Sequence, residues 1–533
     1  MKPSSLNFYD SFIKWNQLFA LALMMASLPL SNQFMSIAGF WMACAWLLDI
    51  HYSHISGNKT RNRFREFLNN RSAWLLTGIF ILSVIGLLWS ENLKYAMWDL
   101  RIKLPLLFMP LVLVTFRPLE RKHFIWLILV FNLSLLFGVM HCLGVYYHLW
   151  GKPYTNVREI SHFISHVRFS LLLVMGICTL VWMAGKNRKH LAWSIPVMFF
   201  YLFFLWIIES MTGFSVLLGV LFVMLVRQIL AHKNAFFRYG ILLTMAIISG
   251  SLALYIINAA HNYFTPKVMH SNLREYTLGG EKYFHSDTNE LLENGYYVWT
   301  YIAWGELTRT WKQRSAIHPD SLDARKQPLK GTLIRYLTSR GLDKDSVGVW
   351  SLTPHDIKMI ESGKTSYLSG TKKGLANRLD KIFFEIDNYR NGGDPSGNSV
   401  TQRLEFWKCA LAIIAENPIN GVGTGDVNDK FQQQYEASQS QLDKAFRLRS
   451  HNQYLTYSVA LGIPGGLYLI MTLIYPLTRR RFRSDFLYVA FATVSILSFM
   501  TEDSLETQAG VTFFTFFSCM LLFIKPASED KVK

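Results

Sequence analysis

The chain has 533 residues, 51% of them hydrophobic and 15% aromatic, and a formal net charge of +18. An ordinary soluble enzyme, whose apolar residues alternate with polar ones in amphipathic stripes, is excluded because they come here in blocks of roughly twenty, enough to cross a hydrocarbon core of about 30 Å. Nucleic-acid binding is excluded as the reason for the charge, because the basic residues fall in alternate short loops rather than on one surface.

Twelve spans are predicted, at about 14–30, 33–50, 73–90, 104–116, 124–148, 168–185, 192–209, 213–230, 239–259, 454–477, 485–501 and 507–525. Lys59, Arg61, Arg63, Arg65 and Arg71 follow the second span, and Arg117, Arg121 and Lys122 the fourth. Lys186, Arg188 and Lys189 follow the sixth, Lys233 and Arg238 the eighth, and Arg479, Arg480, Arg481 and Arg483 the tenth. Every one of these loops is cytoplasmic if the N-terminus is, which is what the preference of Lys and Arg for that side requires. The first apolar segment lacks a clear small-x-small cleavage site and reads as a retained span. Four of the five cysteines, Cys44, Cys142, Cys178 and Cys519, fall in spans and only Cys409 in a loop, so neither a disulfide framework nor a metal site is expected.

Residues 1–259 read as an N-terminal bundle of about nine spans. Two of its extracytoplasmic loops carry unusual content: Glu91 to Lys103, with Lys94, Asp99, Arg101 and Lys103, and Gly151 to Arg168, with His162 and His166. Arg168 stands at the mouth of the sixth span, on the side where topology disfavours positive charge. A snorkelling interfacial arginine would explain it, and so would an anion to bind. The turn Glu209 to Gly213 faces the same side and reads equally as a capped tight turn or as cavity lining.

Residues 260–451 form a large periplasmic loop, far longer than an ordinary connection. Its first half, including NGYYVWTYIAWGELTRTWKQRS, reads as aromatic helices joined by glycine turns, and NYRNGGDPSGN as a hinge. Residues 452–533 supply three more spans and a short cytoplasmic tail. The acidic turn between the last two, Thr501 to Glu506, reads as solvated interfacial carboxylates.

The most informative stretch is Gln402 to Gly466. Arg403 and Trp407 lie one helical turn apart. Asn417-Pro418 and the alternating Gly421, Gly423 and Gly425 cannot continue a helix. His451-Asn452-Gln453 closes the stretch where the tenth span begins, followed by Gly462, Gly465 and Gly466. In order, spacing and position this resembles the signature region of the O-antigen ligase and polymerase superfamily. The resemblance implies an all-α polytopic membrane bundle of about 12 transmembrane helices, with a large helical loop between helices 9 and 10, similar to the GT-C glycosyltransferases.

The resemblance also implies a donor, a glycan carried on undecaprenyl pyrophosphate, and an acceptor hydroxyl on a lipid A-core sugar, a growing glycan or a protein. Moving a sugar off a pyrophosphate requires neutralising the charge left behind. Arginine suits this task through its two-pronged grip on phosphate oxygens. Arg403 and Arg168 match family positions implicated in pyrophosphate binding, and His451 matches the probable base, whose ordinary pKa near neutrality suits that role. Asn452 and the backbone of Gly421, Gly423 and Gly425 are further candidate substrate contacts, the glycine loop being either an anion-receiving nest or a plain turn. The expectation is an inverting glycosyltransferase of the bacterial inner membrane, with its active site on the periplasmic face and no metal, cofactor or nucleic acid. A lipid or glycan transporter is the alternative from another class, disfavoured because the spans read as nearly free of charge.

Overall fold

The structure, a computed structural model, describes residues 3–55, 63–117, 119–151, 154, 157–267, 273–286, 288–368 and 375–526; Lys59 and Arg61 lie outside the described residues. A helix stands at every one of the twelve expected spans. They are α1 (Pro3–Ser27), α2 (Asn32–Ile55), α3 (Arg71–Ile85), α4 (Leu93–Leu113), α5 (Arg121–Tyr146), α6 (His166–Lys186), α7 (Leu191–Ile207), α8 (Met211–Leu230) and α9 (Ala235–Phe264). Between α9 and the last three come β1 (Leu292–Glu293), β2 (Tyr296–Tyr297), α10 (Trp304–Arg314), α11 (Leu329–Ser339), α12 (Pro354–Glu361), α13 (Leu375–Arg390), α14 (Ser399–Glu416) and α15 (Val427–Ala437). The chain ends with α16 (Gln453–Thr478), α17 (Phe486–Phe499) and α18 (Gln508–Cys519). Among the described residues, seven helices are long and apolar enough to cross a membrane by length and composition. The protein is an all-α polytopic bundle.

The chain forms two compact units. The first comprises Met1–His232, Phe406–Ser438 and Leu448–Lys533, and the second Lys233–Glu405 and Gln439–Arg447. The centre of the first is α6, which is buried without interruption from Phe169 to Leu180, as a helix apolar all round its circumference must be. Phe169, Leu173, Met175 and Leu180 join Tyr201 and Phe204 of α7 and Phe516 and Phe517 of α18 in one core.

The expected loop from Glu91 to Lys103 is instead the first half of α4. Charge in an apolar helix is tolerated here because Asp99 and Lys103, one turn apart, pair at 2.7 Å and are both buried. Asn92 caps the helix through the Tyr95 N–H at 3.0 Å, while the Asp426 carboxylate accepts from the Glu91 and Asn92 N–H groups at 2.9 and 2.7 Å.

Two sequence breakers, far apart in the chain, complete one another. Pro464 has no N–H and leaves the carbonyl of Ala460 without its helical partner, so α16 breaks at Leu461 and Gly462. The glycine loop fills the gap: the Gly423 N–H donates to Ala460 at 2.9 Å, Val422 to Val459 at 2.9 Å, and Ile463 of the broken helix to Pro418 at 2.8 Å. A Cβ on Gly421, whose φ is +68°, would stand 2.5 Å from the Ala460 carbonyl. Gly421→Ala is therefore expected to destabilise the first unit by about 3 kcal/mol. Gly185→Ala, which meets nothing within 4 Å, serves as the control. Thermal unfolding of the detergent-solubilised chain reads the difference, and equal melting of the two variants would refute the lock.

The second unit contains helices as expected, but NGYYVW starts as a β-hairpin. Leu292 pairs with Tyr297 and Glu293 with Tyr296, and the turn residues Asn294 and Gly295 both take positive φ, the geometry that Asn-Gly favours between strands. The helix follows only from Trp304. Its Trp311 packs with Leu333, Tyr336 and Leu337 of α11 and with Ile357 and Ile360 of α12. The Thr353–Asp356 capping box starts α12. Tyr263 of α9 packs on Leu379 and Phe383 of α13.

The alternating basic loops predict that reporter fusions after Lys233 and near Ser369 give cytoplasmic and periplasmic signals respectively, and the reverse pair would overturn that topology. Ser369 lies outside the described residues.

Candidate functional site

Helix α16 begins beneath a short strap, Leu448 to Asn452, in which each residue around His451 is tied to the first unit. The Tyr435 hydroxyl donates to the Leu448 carbonyl at 2.7 Å. Arg449 Nη1 donates to the Glu506 carboxylate and to the Tyr95 hydroxyl, both at 3.1 Å. The Trp407 indole donates to the Ser450 carbonyl at 3.1 Å. The Ser450 hydroxyl lies 2.7 Å from that of Thr456, which donates to Asp503 at 2.8 Å. Asn452 accepts from the Tyr454 and Leu455 N–H groups at 3.1 and 3.2 Å, the bonds that close a helix N-terminus.

Between these anchors His451 adopts φ +47°, a left-handed conformation that costs a residue with a Cβ about 1 kcal/mol or more. Its ring is half-buried against Phe406, with centroids 5.6 Å apart. Strain held in place by bonded neighbours on both sides is a mark of functional sites.

Arg168 lies in the first turn of α6, just before that helix's uninterrupted buried run. Its Nε is buried without a hydrogen-bond partner. With Ser498, Ser504, Gly510 and Phe514 it lines a small cavity, and Glu502, Asp503 and Arg449 are within electrostatic reach. The structure thus brings Arg168 to the same turn, Thr501 to Glu506, that holds the His451 strap. Arg403 stands on α14 one turn before Trp407, as its spacing implies, but on the part of that helix that belongs to the second unit.

The glycine loop offers no open nest. The N–H groups of Gly421, Val422, Gly423 and Thr424 go to the carbonyls of Asn417, Val459, Ala460 and Gly86, and that of Gly425 to Ser90 Oγ. The three glycines serve close packing: a Cβ on Gly423 would meet Ser90 Oγ at 2.5 Å, and one on Gly425 the Asn92 carbonyl at 2.4 Å. Asn452 likewise spends its side-chain oxygen on the cap. Ser210 caps α8 through the Gly213 N–H at 3.1 Å.

The acidic turn faces inward, not solvent. Glu506 is buried between Lys103, at 3.2 Å, and Arg449, at 3.1 Å, and Gln453 Nε2 donates to it at 3.2 Å. Burial alone would raise its carboxyl, but the Lys103 ammonium and the Arg449 guanidinium outweigh burial and hold it below the usual carboxylate range. Burial also works against the charge on Arg449, and the Glu506 and Asp503 carboxylates overcome it and lift its pKa.

One Asp-x-Asp triplet, a spacing used elsewhere to hold metal-bound sugar nucleotides, occurs at Asp343-Lys344-Asp345 in the second unit. Asp343 pairs with Arg274. Asp345 accepts from the Gly348 N–H at 2.8 Å and from the Tyr283 hydroxyl. Lys344 donates to the Thr300 and Tyr297 carbonyls at 2.9 and 3.1 Å. The triplet is committed to the fold of its own unit.

Residues 365–470 match the family model described as O-antigen ligase. This match supports membership of the O-antigen ligase superfamily. The O-antigen ligase match takes in α14, the glycine loop, the strap and the broken first half of α16, the elements whose fit is described above. An uncharacterized protein of Haemophilus influenzae is 27% identical over 179 residues, 32% of this chain. The alignment spans 44% of that relative's length.

Proposed function

We propose that the protein transfers a glycan from undecaprenyl pyrophosphate to an acceptor hydroxyl, favouring a lipid A-core sugar, at the periplasmic face of a bacterial inner membrane. The observation that carries this reading is the strained, multiply anchored His451 on a strap tied to the same turn that Arg168 approaches, within a chain of the O-antigen ligase superfamily. His451 accepts the proton of the acceptor hydroxyl as its oxygen bonds to the anomeric carbon. The bond from that carbon to the phosphate breaks on the opposite face, so the configuration inverts and the lipid pyrophosphate leaves as an anion. Arg168 and Arg403 receive that charge, and the low dielectric at a membrane edge strengthens such contacts. Their fixed cations make a metal unnecessary for this step.

A strain lacking the protein tests the reading through its lipopolysaccharide profile. Loss of all long glycan with accumulation of lipid-linked polymer is expected. A single repeat unit on the core would mean polymerase activity, and an unchanged lipopolysaccharide with unglycosylated protein would mean a protein O-glycan ligase. Transfer is expected to persist in excess chelator, and dependence on added magnesium or manganese would contradict the metal-free step.

A further inference from the structure

Asp99 and Lys103 of α4, Gln453 of α16 and Glu506 of the α17–α18 turn meet Arg449 inside the first unit. Lys103 bonds Asp99 at 2.7 Å and Glu506 at 3.2 Å, and Arg449 bonds Glu506 at 3.1 Å. Burying four charges is costly, and packed apolar side chains often give equal or better stability. Stability alone therefore accounts poorly for the cluster.

Its geometry is one-sided. The side chains of Asp99, Lys103 and Glu506 are at most 5% exposed, whereas that of Arg449 is 21% exposed. Arg449 bonds through Nη1, toward Glu506 and Tyr95. Its Nε and Nη2 edge, which can grip two phosphate oxygens side by side, makes no hydrogen bond among the described residues. Arg168, within electrostatic reach, also has a buried Nε without a partner. Two guanidiniums with unspent N–H groups, drawn to one acidic turn, form the frame of a site for a multiply charged anion.

We infer that Arg449 is a second ligand of the donor's pyrophosphate beside Arg168, and that Glu506, anchored by Lys103 and Gln453, is the positioning residue that turns the free edge of Arg449 outward. This rests on the reading that the donor is a lipid pyrophosphate. Glu506 touches no substrate; it fixes which edge of the guanidinium is spent.

The test measures binding of undecaprenyl pyrophosphate, and of uncharged undecaprenol, to the full-length protein in nanodiscs. Arg449→Lys keeps the charge and can still pair with Glu506, but lacks the fork. Glu506→Gln keeps the shape and removes the charge. Both are expected to bind the pyrophosphate at least about tenfold more weakly, with undecaprenol affinity unchanged. A merely structural cluster would lower both affinities together, and that result would overturn the inference. So would wild-type pyrophosphate affinity in Arg449→Lys, with the donor reading left standing. If the wild type itself does not prefer the pyrophosphate, the donor reading fails, and the inference with it. Should Glu506→Gln not fold, Arg449→Lys decides, with its retained undecaprenol binding as the sign of an intact bundle.

Discussion

His451→Ala is expected to lower glycan transfer by about 10²–10⁴, the usual loss when a general base is removed. The bundle should survive, because Leu448, Arg449, Ser450 and Asn452 each anchor the strap. Donor lipid should bind the variant as it binds the wild type, since the proposed pyrophosphate contacts belong to the arginines. In the wild type, the rate should rise with pH as the imidazole loses its proton and then level off, because only the neutral ring can accept. A variant retaining more than about a tenth of wild-type turnover would remove His451 from the proton transfer. Loss of donor binding as severe as that of an arginine variant would move it to pyrophosphate recognition.

Arg403→Lys is expected to be about a hundredfold slower in transfer, although the charge is kept. A lysine presents one ammonium where an arginine presents a planar fork, and a pyrophosphate that must be held while its bond to sugar breaks needs the geometry as well as the charge. Near-normal transfer by purified Arg403→Lys would reduce Arg403 to a point charge.

The architecture was legible because apolar blocks and alternating basic loops are long-range averages that single residues do not disturb. Every expected span has its helix. What the sequence hid were pairings between distant segments. Asp99 and Lys103 read as loop charges, since nothing local reveals that they neutralise one another or that Glu506, four hundred residues on, completes the set at 3.2 Å. The i, i+4 Asp–Lys spacing was the available signal. The hairpin at Leu292 to Tyr297 had its own, the Asn-Gly pair, obscured by the aromatic run that follows. The glycine loop read equally as nest or turn because its partner is the proline break in α16, forty residues later. Arg168 and His451 are candidates for a different reason: each stands at the lip of an apolar run, where a charge or a titratable ring has to be explained by something other than solvent.

Glycan transfer can be followed by reconstituting the purified chain in proteoliposomes with labelled glycan on undecaprenyl pyrophosphate and a lipid A-core acceptor. Label is expected to move to the core sugar with inverted anomeric configuration, undecaprenyl pyrophosphate to be released in equal amount, and His451→Ala to stop both. Label that stays on the lipid with wild-type protein and every acceptor class offered, or product of retained configuration, would contradict that expectation.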